Sequence, residues 1–264
     1  MSGDKVVMEV KSAKEIEQPY SPPRQSADTL FHFVSKFKYL ISMIEKFAVI
    51  PRYCIEDVDY LEIAIKQIAY PMLCFCDINL HKIQEHMDLY GMYGIAFSKQ
   101  WGIKKGVQPI QYINPQSLLR SDFSAAFLES LNSDVENKAQ DFLQSQMYYF
   151  KAIQGTMDRN GKKIAKNFTD ECEWRFIPDV KKVNLPQAVL DAEIFSVSTL
   201  NKALETTKEC WLQFEAPDVK YIILNTEEEF RQVVDVIKSK KLDAKIIDRF
   251  LSKIVVWSDV RRDF

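Results

Sequence analysis

Glycine is scarce in this chain, with 7 in 264 residues. None of them builds a G-x-G-x-x-G turn or a Walker A loop, which argues against a Rossmann nucleotide fold and a P-loop NTPase. No G-x-S-x-G elbow and no H-E-x-x-H helix is present either, so the common hydrolase and zinc-protease signatures are missing. Histidine numbers three, and the five cysteines are odd in count and scattered. In a reducing compartment that pattern reads as buried free thiols. An excess of one charge is also lacking: 35 Lys and Arg against 37 Asp and Glu leave a net charge of -2. A broad basic surface for nucleic acid is therefore not indicated. No apolar run approaches the ~18 residues of a membrane span. The N-terminus, MSGDKVVMEVKSAKEIEQ, is charged and lacks an apolar signal core. The expected location is the cytoplasm, away from membranes.

What is present is core-forming material. Hydrophobic residues make up 47% and aromatics 12%, a composition of compact domains. Residues 1–29 are polar, with Pro19, Pro22 and Pro23, and read as an extended lead-in with a short strand at Val6–Val10. Residues 30–264 read as one domain.

Leu30–Val34 alternates like a strand, and Ser35 is placed to cap an amphipathic helix over Lys36–Lys46 that Pro51 stops. Ile55–Ala69 reads as helical, and Pro71 opens a strand over Met72–Cys76. Ile78–Leu89 has helical spacing, Gly94–Ser98 reads as a strand, and Trp101–Lys105 as a short helix that Gly106 breaks. Pro109–Ile113 is a further strand, and Ser117–Ile153 a helical insert of two helices. Met157–Asn167 reads as a loop with an Asn160-Gly161 turn, and Glu173–Pro178 as a strand. Val219–Leu224 is an apolar strand, and Thr226 with Glu229 forms a capping box for the next helix. Asp243–Leu251 is a last long helix, and Ile254–Trp257 a last strand. Short strands without a regular βαβ order make the class α+β: short mixed strands with flanking helices.

Three groups of residues are candidates for chemistry. His32 lies in an apolar strand between Phe31 and Phe33; it is either a core histidine bonded to a backbone carbonyl or a pocket histidine that holds a ligand sugar. Glu171, Glu173 and Arg175 fall on one face of a strand if alternation holds through DECEWRF. They read as an exposed charged edge or as paired carboxylates that stabilise a cationic sugar and orient an acceptor. Tyr90, Tyr93, Phe97 and Trp101 flank two glycines and Ser98, and read as turn packing or as a wall for a planar base. Lys99, Lys104 and Lys105 could meet phosphate or lie in solvent. Cys74, Cys76, His81 and His86 have poor zinc spacing, and no metal is expected. Asp57, Asp59 and Glu62 could hold magnesium, but a solvated helix N-terminus explains them better.

The segments FHFVSKFKYLISMIEKFAVIPRYCIED, YPMLCFCDI, YGIAFSKQWGIKKGVQPIQYI and ECEWRFIP resemble the abortive phage-resistance family AbiGi, in order and from about Leu30 to Pro178. The resemblance implies bacterial defence against phage, as the antitoxin of an abortive-infection pair whose partner resembles a nucleotidyltransferase. It implies a protein partner, whether a cognate toxin, another defence component or a phage protein. A looser resemblance is to the ADP-ribosyltransferase fold, through the histidine strand, helix and proline-ended turn of Leu30–Pro51, the Ser98 strand and the glutamate strand at Glu173. It implies NAD as cofactor. Glu173, Glu171 and His32 would be catalytic, with His32, Tyr93, Phe97, Ser98 and Arg175 around the cofactor and a protein or nucleic acid as the modified target. The expectation is a phage-defence protein acting as an NAD-using transferase or, alternatively, as a non-catalytic antitoxin or sensor that binds a toxin.

Overall fold

A computed structural model describes residues 19–131, 138–159 and 161–263. The strand expected at Val6–Val10 and the Asn160 half of the expected turn lie outside the described residues.

Strand β1 (Thr29–Val34) and helix α1 (Phe37–Lys46) stand where the apolar spacing puts them, with Leu40, Met43 and Ile44 buried. Ser35 does not cap the helix; Lys36 holds the N-cap position without a side-chain bond. The helix closes at Phe47 in the left-handed region, ahead of Pro51, and short β2 (Ala48–Val49) follows.

The helix expected over Ile55–Ala69 is absent. That stretch is split among β3 (Arg52–Asp57), a 3-10 turn at Asp59–Leu61 and the start of β4 (Gln67–Cys76). Most of β4 is buried, on both faces. Such a strand shows a continuous apolar run that periodicity does not separate from a buried helix. β4 also runs straight through Pro71, which pairs with Tyr53. Proline brings no N–H to a ladder, and Tyr53 sends its own N–H to Asn201 at 2.7 Å instead.

Helix α2 (Gln84–Tyr90), strand β5 (Tyr93–Ser98) and helix α3 (Lys99–Lys104) follow as expected in kind. Between α2 and β5, Gly91 adopts φ +134, and a Cβ there would lie 2.2 Å from the Val34 carbonyl oxygen. Two short strands come next, β6 (Gln108–Pro109) and β7 (Gln111–Ile113). The insert is α4 (Leu118–Leu131) and α5 (Lys138–Met147). It ends earlier than expected, because Phe150–Ala152 forms β8, parallel to β7.

The expected loop at Met157–Asn167 is a hairpin of β9 (Gln154–Arg159) and β10 (Lys162–Asn167). β10 is polar and mostly exposed, so there was no apolar alternation to reveal it. The rest comprises β11 (Glu173–Phe176), β12 (Val189–Leu190), α6 (Val197–Leu204), β13 (Leu212–Gln213), β14 (Val219–Leu224), α7 (Phe230–Lys238), α8 (Ala244–Leu251), β15 (Ile254–Val256) and α9 (Trp257–Val260). The Thr226–Glu229 capping box is present ahead of α7.

The class is α+β. The main sheet runs β15-β14-β5-β1-β4-β11-β6, and β3 and β12 also pair with β4. Its pairs are antiparallel except β14 with β15. One feature of this sheet positions the site. β3 covers β4 from Gln67 to Met72, and β1 joins it at Phe31–Cys76. Tyr53 turns both backbone groups to Asn201, so the even-numbered residues of β4 aim theirs at β3. Cys74 is even-numbered too, and its carbonyl meets His32 of β1. β1 and β3 therefore share one edge of β4, with an opening between Met72 and Cys76.

Candidate functional site

The opening leads into a cavity of about 1740 Å³, walled by α1, β3, β4, α2, β8 and the β9–β10 hairpin. His32, Glu171 and Glu173 all line it. His32 and the Glu171–Glu173 pair, far apart in the chain, are thus brought to one space.

The floor is a buried ion network. Lys151 of β8 donates to Glu171 at 2.8 Å and to Glu173 at 2.9 Å. Arg175, with no exposed surface, donates from Nε to Glu173 at 2.6 Å and from a terminal nitrogen to Glu56 of β3 at 3.0 Å. Its other terminal nitrogen donates to the Tyr148 carbonyl at 2.8 Å and to the Tyr70 hydroxyl. Tyr90 donates its hydroxyl to Glu171, and Lys166 lies 3.7 Å from the same carboxylate. Three carboxylates face three cations. Burial alone would raise the Glu173 carboxyl, but Arg175 and Lys151 outweigh it and hold it well below the ordinary range.

Local structure explains the convergence only in part. Glu173 and Arg175 share a face of β11 by alternation, as expected. Glu171 is not on that strand. It closes a 3-10 turn at Phe168–Glu171, followed by Cys172 at φ 43, and reaches the same ammonium from there.

His32 places Nδ1 at 2.8 Å from the Cys74 carbonyl. A carbonyl only accepts, so Nδ1 carries the proton and Nε2 is left as an acceptor. Burial lowers its pKa, against the opposing pull of the Cys74 bond, and keeps the ring neutral at pH 7. In the same cavity, His86 tilts against Tyr90 at 4.5 Å and against Phe33 at 5.8 Å. Burial first, and then the charge of Lys166, pushes His86 down to about 4.

The other expected residues stand elsewhere. Arg175 lies beneath the floor, behind Glu173, rather than against the cavity. Tyr93, Phe97 and Ser98 do not line it. Tyr93 donates to Glu229, Phe97 stacks on Trp101 at 4.2 Å in the core, and Ser98 caps α3 by accepting the Trp101 N–H. The reason is topological: β5 is an interior strand between β14 and β1, so it buries residues on both faces. Lys99 is not at a phosphate; it is buried against Asp77 at 2.6 Å and Ser26 at 2.9 Å. Asp57 and Asp59 start no long helix: Asp57 accepts the Asp59 N–H, and Glu62 pairs with Arg120. Burial pushes the Cys74 and Cys76 thiols well above their ordinary pKa, as it does for core thiols.

Sequence reasoning missed Lys151 and Glu56. Lys151 had a signal, a lone lysine inside the apolar run YYFKAI. Glu56 had none, because its segment was read with the wrong period.

The fold and site define a class: an α+β protein whose split central sheet opens onto a cavity floored by a neutralised ion network. The chain belongs to the AbiGi family. The family described as "abortive phage resistance protein AbiGi, antitoxin" matches residues 47–225. A relative from Lactococcus lactis subsp. cremoris, named "Abortive phage resistance protein AbiGi", is 32% identical over 248 residues, covering 82% of this chain and 100% of that protein. No solved structure matches. No helix among the described residues is long and apolar enough to cross a membrane.

Proposed function

We propose that this protein acts in anti-phage defence as a non-catalytic antitoxin that binds and neutralises a protein toxin. The observation that carries this reading is the state of Glu171 and Glu173. Lys151, Arg175 and Tyr90 already occupy both carboxylates, and Glu173, held well below its ordinary pKa, is a poor proton acceptor. The description of the family as an antitoxin agrees with it. The test is growth in a bacterial host. Expression of the chain alone is expected to be harmless, and its co-expression with the toxin of its own defence locus to restore growth. Arrest by the chain alone that disappears in Glu173→Gln would sink the reading.

A second reading, an ADP-ribosyltransferase-like effector using NAD, is favoured by one observation: His32, Glu171 and Glu173 line the same cavity. On that reading His32 Nε2 accepts a hydroxyl of the nicotinamide ribose, Glu173 faces the cationic sugar, and the acceptor is a protein or a nucleic acid. Calorimetry with NAD decides it. Binding weakened about tenfold in His32→Ala, the ~1.4 kcal/mol of one hydrogen bond, is the expected result. No binding by folded wild type removes this reading.

A further inference from the structure

The α1 wall of the cavity carries a pattern that the ion network leaves unexplained. Ser35, Lys38, Ser42 and Lys46 all line the cavity, at spacings of three, four and four. Those spacings put them on one stripe along the helix and its entry. Lys46 donates to Ser42, and the Lys38 ammonium lies 5.2 Å from the Tyr39 ring centroid. Among the described residues neither lysine has an ion-pair partner. The acids lie across the cavity: Asp57 and Asp59 beside β3, and Glu56, which Arg175 already holds. Lys163 of the hairpin also lines the cavity and stands opposite Asp158 in the β9–β10 register, and Arg52 pairs with Glu205 at 3.8 Å. Two lysines without an ion pair therefore stand along the α1 wall, opposite the acids of β3.

Two further features lie in the same cavity. His32 presents Nε2 as an acceptor, which calls for a ligand O–H or N–H. His86 and Tyr90 line it too, two rings in tilted contact at 4.5 Å that offer aromatic surface to a ring. We propose that the cavity binds a nucleoside diphosphate, with its phosphates on the Lys38–Lys46 stripe, a sugar hydroxyl on His32 and its base against the His86–Tyr90 pair. Ligand pockets commonly span ~300–1000 Å³, so the space of about 1740 Å³ admits the whole molecule. Phosphate recognition by point-charge lysines and hydroxyls needs no glycine-rich loop. The proposal requires no reaction; it adds a ligand to the antitoxin reading and does not depend on the transferase one.

The test is calorimetry of the full chain with ADP and with adenosine, the same ligand without its phosphates. ADP is expected to bind at least tenfold tighter than adenosine. Lys38→Glu with Lys46→Glu is expected to bring ADP down to the level of adenosine and to leave adenosine unchanged. Lys104→Glu with Lys105→Glu, on exposed positions outside the cavity, is the charge control and is expected to change neither. Equal affinity for the two ligands, no ADP binding by wild type of native circular dichroism, or equal losses in both double variants would overturn the proposal. NAD separates the two cavity readings. NAD binding that survives the Lys38 and Lys46 reversals keeps the transferase reading and overturns this one. ADP binding without NAD binding does the reverse.

Discussion

Alternate residues of β11 serve two buried ion clusters. Glu173 and Arg175 build the floor of the cavity, while Trp174, on the other face, lies 5.5 Å from the ammonium of Lys99. Lys99 and Asp77 are as deeply buried as the floor residues, at 7% and 10% side-chain exposure. Yet this second cluster does not line the cavity. Lys99 also donates to Ser26 of the lead-in, where Tyr20 donates to Asp28, so the cluster latches the lead-in onto the sheet. Burial, charge and short distances are common to both clusters. What differs is unspent bonding capacity beside open space: the first has His32 Nε2 and the α1 lysines around a cavity, and the second has only the Asp77 Oδ1 atom, buried without a partner. A buried ion pair is thus weak evidence for a site; the space next to it decides.

The largest effect is expected at Arg175. Arg175→Met removes one cation from under two carboxylates and strands the Tyr70 hydroxyl and the Tyr148 carbonyl. Removing one partner of a buried pair costs about 3–5 kcal/mol, so the variant is expected to unfold at much lower urea. A loss under about 1 kcal/mol would show that water from the cavity reaches Glu173 and Glu56 and replaces the guanidinium. Acid acts on the same cluster. The folded Glu173 lies below its ordinary 4.5, so its contribution is complete above that pH and is lost as pH falls further.

Lys99→Met should cost less, about 3 kcal/mol, the low end for a broken buried pair. Asp77 is left charged, but the lead-in can lift and let water in. Asp77→Asn added to Lys99→Met is expected to recover at least half of the loss. Protease cutting in residues 19–28 should rise in the single variant, while ligand binding in the cavity stays as in wild type. Weakened cavity binding in that variant would mean that the two clusters communicate through β11 and act as one unit.

β1, β5, β14 and the Met72–Cys76 part of β4 were legible as short apolar runs bounded by turn or helix signals. The start of β4, Gln67–Ala69, was taken for helix, and the β9–β10 hairpin, exposed on both faces, for a loop. Neither stretch shows alternation. For the site, His32 and Glu173 were found because each is a polar residue in an apolar or aromatic strand. Tyr93, Phe97 and Ser98 were misplaced because an aromatic cluster beside glycine looks the same in a core as in a base pocket. The α1 stripe was present in the spacing, but the spacing alone assigned Lys38 and Lys46 no role, because what they border is set by the tertiary fold.

The smallest effect sharpens the boundary of the cavity. His86 has a folded pKa of about 4 against an ordinary 6.5, because burial and the nearby Lys166 disfavour its charge. The unfolded chain therefore takes up a proton between those values that the folded chain refuses. Stability from this source is full above about pH 6.5 and is lost as pH falls toward 4. His86→Phe keeps a ring for Tyr90 and Phe33 and removes the titration. Melting temperature measured from pH 7 to pH 4 should fall less steeply in the variant than in wild type, with the two curves converging at the acid end. This window lies above the one in which Glu173 titrates, so the two effects separate. Parallel curves would mean that His86 is hydrated from the cavity and titrates normally, and the cavity would then extend to solvent along α2 rather than close against it.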